Sequence, residues 1–276
     1  MRTSLHRAEI ARSRLRKARS QAAFTMVEIA IALAVIGFAL VAIIGILPIG
    51  LDAQKDNREE TIINQDAIYF MDTIRSGSRG ANDLTNYVYE IRRYVQDYDA
   101  LTNPVGSAVV NVYTYTNSTR DGVAMNPPLP ITNGFRIIGL LGTPKYLPLG
   151  AGFQSNNVVA YVRSLSGPAS EKVPQRDTTV QGLSFSYRFI SEVVTLPQAT
   201  PDPSAPFTNT PYARHLRANL NELRLLFRWP VFPNGNTGNG RQVYRSQVGG
   251  QLSVTNDLGH SLYFFEPTIF VNANAP

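Results

Sequence analysis

From Ile29 to Leu51 the chain reads IAIALAVIGFALVAIIGILPIGL, 23 residues without a charge and with Pro48 as the one strong helix breaker. A bilayer core is crossed by roughly 20 apolar residues in a helix, so this run is long enough to span. A buried helix of a soluble core would show a polar stripe or a shorter run. A secretory signal has a much shorter apolar core, and here the run ends in LPIGLDAQKD, where Leu51 and Ala53 make a poor small-residue cleavage site. The helix is therefore expected to remain in the mature chain.

The flanks orient it. Residues 1 to 23 hold seven basic residues (Arg2, Arg7, Arg12, Arg14, Arg16, Lys17, Arg19) against the single acid Glu9, whereas Asp52 to Glu60 carries four acids and two bases. Basic residues are retained on the cytoplasmic side, which places the N-terminus inside and the C-terminus outside. The formal charge is +6 over 276 residues, and the leader holds all of the excess, leaving 19 basic and 19 acidic residues beyond it. A nucleic-acid partner is not expected from that distribution. With no cysteine, disulfides, thiolate metal sites and cysteine nucleophiles are excluded together, and an extracytoplasmic head must hold itself by packing.

One residue conflicts with the apolar run. Glu28 stands at its head, where a carboxylate must be desolvated unless a positive group meets it. An acid in the first helical turn is also favoured by the helix dipole and can reach the headgroup layer, so two readings stand side by side. The surrounding residues, Ala23-Phe24-Thr25-Met26-Val27-Glu28, resemble the cleavage and methylation motif of type IV prepilins and pseudopilins. That resemblance implies a prepilin peptidase cutting between Ala23 and Phe24 and N-methylating Phe24. It also implies that Glu28 neutralises the terminal ammonium of a neighbouring subunit and so sets helix register during assembly. Ala23 stands where the family usually has Gly. Along a helix the two groups are about 6 Å of rise apart, so a pairing between staggered subunits is geometrically at least as natural as one within a chain.

The helical pattern continues past the membrane span. Ile63, Ala67, Phe70, Met71 and Ile74 recur at three- and four-residue spacing, which predicts that the distal half of one long helix lies against a sheet. Pro48, aided by Gly45 and Gly50, predicts a kink or a local loss of helix over Ile44 to Pro48. Gly77 and Gly80 are expected to end the helix. Asn82 or Asp83 then caps a second one, with Leu84, Tyr87, Val88, Ile91, Tyr94, Val95 and Tyr98 on one face.

Beyond Asn103 the period shifts toward two and Gly, Pro and Asn punctuate the chain. Strands are predicted at Ala108 to Thr116, Phe135 to Leu141, Val158 to Leu165, Leu183 to Leu196, Glu222 to Val231 and Gln242 to Val248, with a last one within Ser261 to Val271. Thr195 to Pro211, TLPQATPDPSAPFTNTP, reads as a proline-rich exposed loop. The clearest hairpin joins ELRLLFRWPVF to RQVYRSQV through PNGNTGNG, with Leu223, Leu225, Phe227 and Trp229 alternating against Arg224, Leu226 and Arg228. VVAYVRSLSG, ELRLLFRWP and GRQVYRSQVGG are more narrowly similar to the Verru_Chthon cassette group of pilin-like proteins, which adds little mechanism.

Catalytic constellations are not found in the sequence. His6 lies in the leader, and neither His215 nor His260 has a partner at ligand spacing. GLSFS at Gly182 to Ser186 is not a nucleophile elbow, and GNTGNG lies between strands instead of opening a helix. Asp97-Tyr98-Asp99 and Asn256-Asp257 offer calcium ligands without a full loop, so no metal and no cofactor is assigned.

The sequence thus predicts an α+β chain in three parts: a basic leader over 1–23, a membrane or filament-core helix over 24–51, and an extracytoplasmic head over 52–276 that is helical to about 100 and then mainly β. The resemblance implies a non-enzymatic subunit of a type IV pilus or type II secretion-like pseudopilus in the bacterial inner membrane. Its implied partners are the prepilin peptidase, other pilin-like subunits, and an assembly platform with its ATPase. The alternative is a permanently anchored single-pass envelope protein whose head binds a ligand or partner.

Overall fold

A computed structural model describes residues 24–165, 184–195 and 211–272. The basic leader and most of the proline-rich loop lie outside the described residues, as do Gly182 and Leu183. The chain divides into two compact units between Asp56 and Asn57.

The described residues of the first unit are almost wholly helical. Helix α1 (Met26–Arg75) is 50 residues long and is unbroken at Pro48, so the expected loss of helix over Ile44 to Pro48 is absent. A single missing N–H leaves the flanking hydrogen bonds of the ladder in place. Every described residue from Phe24 to Arg58 is exposed, the whole apolar run included. This helix is long and apolar enough to cross a membrane.

The second unit, from Asn57 onward, is an α+β body. The final turns of α1 bury Ile63, Ala67, Phe70 and Ile74, as their spacing predicts, and Met71 packs partly buried beside them. The helix ends at a glycine for a geometric reason. The Ser78 N–H donates to the Thr73 carbonyl at 3.1 Å and the Gly77 N–H to the Ile74 carbonyl at 3.0 Å, a closure that needs Gly77 at φ 60°. A Cβ at Gly77 would also lie 2.0 Å from the Phe265 carbonyl oxygen.

The second helix expected over Asn82 to Tyr98 does not form. A short 3₁₀ turn (Asn82–Asn86) leads into strand β1 (Val88–Tyr98). The apolar spacing misled because β1 carries a bulge between Val88 and Glu90 against its neighbour. The extra residue puts Val88 and Ile91, three apart, on the same buried face, which imitates helical periodicity.

Strands β2 (Pro104–Thr114), β3 (Ser118–Arg120) and β4 (Val123–Ala124) follow. The strand expected at Phe135 to Leu141 is helix α2 (Gly134–Leu141), and Asn133 caps it by accepting the Arg136 N–H at 2.9 Å. Its run FRIIGLL is apolar on nearly all sides, and the helix is buried accordingly. Strands β5 (Tyr146–Leu149), β6 (Gly152–Arg163) and β7 (Ser186–Thr195) precede helix α3 (Pro211–Asn219). After it come β8 (Leu220–Val231), β9 (Thr237–Gly249), β10 (Gln251–Asp257) and β11 (His260–Glu266).

The large sheet has the order β4-β3-β2-β1-β6-β7-β8-β9, with β5 on β6, and all its ladders are antiparallel. Strands β10 and β11 form a separate hairpin. The expected β8–β9 hairpin is present, and Leu223, Leu225, Phe227 and Trp229 are its buried face. One face of the sheet receives the final turns of α1, where the Phe70 and Phe189 rings meet at 4.8 Å. Helix α2 joins the same core and stacks Phe135 on Phe264 of β11 at 4.7 Å.

Polar pins fix this packing. Asp66, on the apolar side of α1 and only 1% exposed, accepts the Leu165 N–H and the Tyr187 hydroxyl, each at 2.9 Å. Asn64 accepts from Gln242 at 3.2 Å and from the Tyr244 hydroxyl. Burial, then the adjacent Asp66 charge, pushes the Tyr187 phenol well above its ordinary value. The folded chain therefore holds that proton where the unfolded chain loses it, so this stabilisation is complete at neutral pH and fades as pH rises beyond about 10. Tyr187→Phe is expected to cost about 1 to 2 kcal/mol at pH 7 and to make the alkaline loss of stability shallower. Urea unfolding at pH 7 and at about pH 10.5 measures both.

Candidate functional site

The chemistry-bearing residues that open α1 form a closed local network. Thr25 precedes the first helical residue, Met26, and Glu28 stands three residues after it. The Glu28 Oε2 atom accepts the Thr25 backbone N–H at 2.8 Å and the Thr25 hydroxyl at 2.9 Å, while the Glu28 N–H donates to Thr25 Oγ1 at 3.2 Å. This is a reciprocal capping box, in which side chains satisfy backbone donors that the first turn leaves orphaned. A carboxylate here also meets the positive end of the helix dipole.

Phe24 lies just outside the helix and is 79% exposed. Ala23 lies outside the described residues. Thus Phe24 and Glu28 are brought together at one helix end, and Pro48 stands some five turns further along the same helix. The one contributor that sequence reasoning overlooked is Thr25. Its signal was present, because Thr-x-x-Glu directly before an apolar run is the capping-box pattern. Oε2 takes both Thr25 donors, and Oε1 has no hydrogen-bond partner among the described residues.

The candidates set aside in the sequence stay dispersed. His260 Nε2 lies 3.1 Å from the Pro127 carbonyl, and His215 belongs to α3. Asp99 closes its own turn by accepting the Leu101 and Asn103 N–H groups, and Asp257 pairs with Arg136 at 2.6 Å. Among the described residues no group of three or more potential ligands is placed to hold a metal ion. A cleft of about 420 Å³ near the end of β6 is lined by Tyr89, Arg92, Tyr161 and Arg163. Its arginines lie over its tyrosines, Arg163 at 4.4 Å from the Tyr89 ring centre and Arg92 at 5.0 Å from that of Tyr161. Cation–aromatic stacking of this kind is packing chemistry and brings no acid–base pair into the cleft.

Neither family models, curated proteins nor solved structures match this chain.

Removing the cap tests the local geometry. Thr25→Ala is expected to fray the first turn at a cost of about 1 kcal/mol, with the rest of α1 intact. Amide exchange over Met26 to Ile29 in detergent or bilayer-held protein reads this directly.

Proposed function

We propose that this chain is a pilin-like structural subunit, cut between Ala23 and Phe24 by a prepilin peptidase, N-methylated on Phe24 and assembled into a type IV pilus or secretion-like pseudopilus. The observation that carries the reading is the junction of Phe24 and Glu28 with an apolar run, Ile29 to Leu51, that the described residues of the chain leave exposed throughout. Such a helix must be covered by lipid or by other helices, and a subunit that passes from membrane to filament meets both in turn. Cleavage creates an ammonium on Phe24, and Glu28 keeps Oε1 to receive the corresponding group of a neighbour while Oε2 caps its own helix. On this reading the leader stays cytoplasmic and the α+β body is extracytoplasmic. The inner membrane stores the subunit, and an assembly platform with its ATPase extracts it.

The capping box favours a second reading. A carboxylate that already satisfies its own helix end needs no neighbour, as in a permanently anchored single-pass envelope protein with a partner-binding body.

Mass analysis and N-terminal sequencing of membrane-extracted protein separate the two. The subunit reading requires a mature chain that begins with N-methylated Phe24; an intact Met1 start overturns it. Glu28→Gln, which keeps size and some capping but removes the charge, is expected to reduce assembled material about tenfold or more, whereas Thr25→Ala leaves assembly within about twofold. Equal behaviour of the two variants would assign Glu28 to capping alone.

A further inference from the structure

The large sheet has a second face, turned away from α1 and the core, and its charge is strongly patterned. On β7, β8 and β9 the residues Arg188, Arg228 and Arg241 are direct cross-strand partners in one row. Adjacent strands lie about 4.8 Å apart, so three guanidinium-bearing side chains cross the sheet in a line about 10 Å long. A second row on the same face, four residues along each strand, sets Arg224 beside Arg245. Between the rows run Ile190, Leu226 and Val243, of which Val243 is 50% exposed.

Like charges directly opposite each other on adjacent strands repel. The carboxylates on this face are already committed: Glu192 to Lys145 at 2.7 Å, Glu222 to Arg224, and Glu90 to Arg92. Arg188, Arg228 and Arg241 have no carboxylate partner among the described residues, and the Arg188 Nε is buried without an acceptor. A row of this kind is stabilised by an anionic partner that brings several acids at comparable spacing.

The same chain carries such a set. Asp52, Asp56 and Glu60 stand at i, i+4 and i+8 of α1, exposed and without an ion pair among the described residues. Four helical residues rise about 6 Å, so the three carboxylates span about 12 Å on neighbouring positions of one helix side. They too repel one another while unpartnered. Excess arginine on the sheet and excess acid on the helix balance across a neutral body, which is the condition for copies to attract each other. Resting on the assembly reading, we propose that the Arg188–Arg228–Arg241 row of one copy docks on the Asp52–Asp56–Glu60 stripe of α1 in a second copy, with Ile190, Leu226 and Val243 as the apolar part of the contact. It is an intersubunit surface separate from the apolar helix run and from Glu28.

The absence of cysteine permits a direct test in the full-length, membrane-expressed chain. Chains carrying Asp56→Cys and chains carrying Arg228→Cys are co-expressed and treated with a short bis-maleimide. Cross-linked dimer is expected for this combination, and about tenfold less when Arg228→Cys is replaced by Val123→Cys on exposed β4. R228E/R241E, both at exposed positions, is expected to lower self-association about tenfold at physiological salt, and D52R/D56R in the same chain to restore it. Equal cross-linking to Val123→Cys, or no restoration by the reversed pair, overturns the proposal. Self-association unchanged by R228E/R241E, together with loss of binding to added polyglutamate, assigns the face to a foreign polyanion and also overturns it. A wild-type chain that never self-associates removes the assembly reading as well, so the two failures are distinguishable.

Discussion

An apolar helical run, Ile29 to Leu51, that the described residues of its own chain do not cover is the constraint on which the rest of this molecule depends. Each large aliphatic side chain from Ile29 to Leu51 gains about 1.5 to 3 kcal/mol on leaving water, so the run as a whole carries tens of kcal/mol of unmet burial. No interaction elsewhere in the chain offsets a term of that size, because the net stability of a folded domain is about 5 to 15 kcal/mol. Lipid or other helices must supply the cover. The body from Asn57 onward has its own core, in which the final turns of α1, α2 and one sheet face bury Phe70, Phe189, Phe227 and Phe264 against one another's surroundings. One continuous helix thus serves two solvents, and the change of residue type near Asp52 marks where one requirement gives way to the other.

Within the body, apolar contact alone would let α1 slide or rotate on the sheet. Asp66 and Asn64 remove that freedom, since each loses its hydrogen bonds if the helix shifts by a residue. A buried carboxylate is costly unless donors meet it, and the Leu165 N–H and Tyr187 hydroxyl do so from β-sheet and loop positions far away in sequence. The pair therefore favours one register more than it adds net stability. Sheet orientation follows from helix register. With Tyr187, Phe189, Leu225 and Phe227 turned inward, the alternate residues Arg188, Arg224 and Arg228 must all emerge on the opposite face.

Features with a single strong period were legible in the sequence. The apolar run declares its length, whereas the Ile63-Ala67-Phe70-Ile74 stripe and the alternating β8 strand each declare one face, and the structure buries those two faces. Two segments failed where tertiary context altered the period. At Val88 and Ile91 a bulge turned a strand into a pattern of threes, and no local residue announces a bulge that the partner strand imposes. At Gly134 to Leu141 an octamer apolar but for Arg136 is too short for its spacing to separate helix from strand, and only the Asn133 cap distinguished them. Strand β10 and helix α3 were missed because their residues are mixed in polarity and half-exposed. Of the site, Phe24 and Glu28 were evident as a motif, whereas Thr25 was overlooked although Thr-x-x-Glu before an apolar run carries the capping-box signal. The arginine row was invisible to composition, because a neutral total conceals how charge is sorted between faces.

The two accounts of Glu28 differ in energy scale, and that difference orders them. A capping box contributes about 1 kcal/mol. Placing a helix carboxylate in hydrocarbon costs a few kcal/mol even on the mildest scale. The Thr25 cap is therefore sufficient while Phe24 to Glu28 lies in the headgroup layer, where water still reaches Oε1. It is insufficient once that end of the helix is enclosed by apolar neighbours, and there Oε1 must find a cation. On the proposed subunit reading the cap therefore serves while the chain is anchored in lipid and an ion pair takes over when helices surround Glu28; on the anchored reading the cap alone serves throughout.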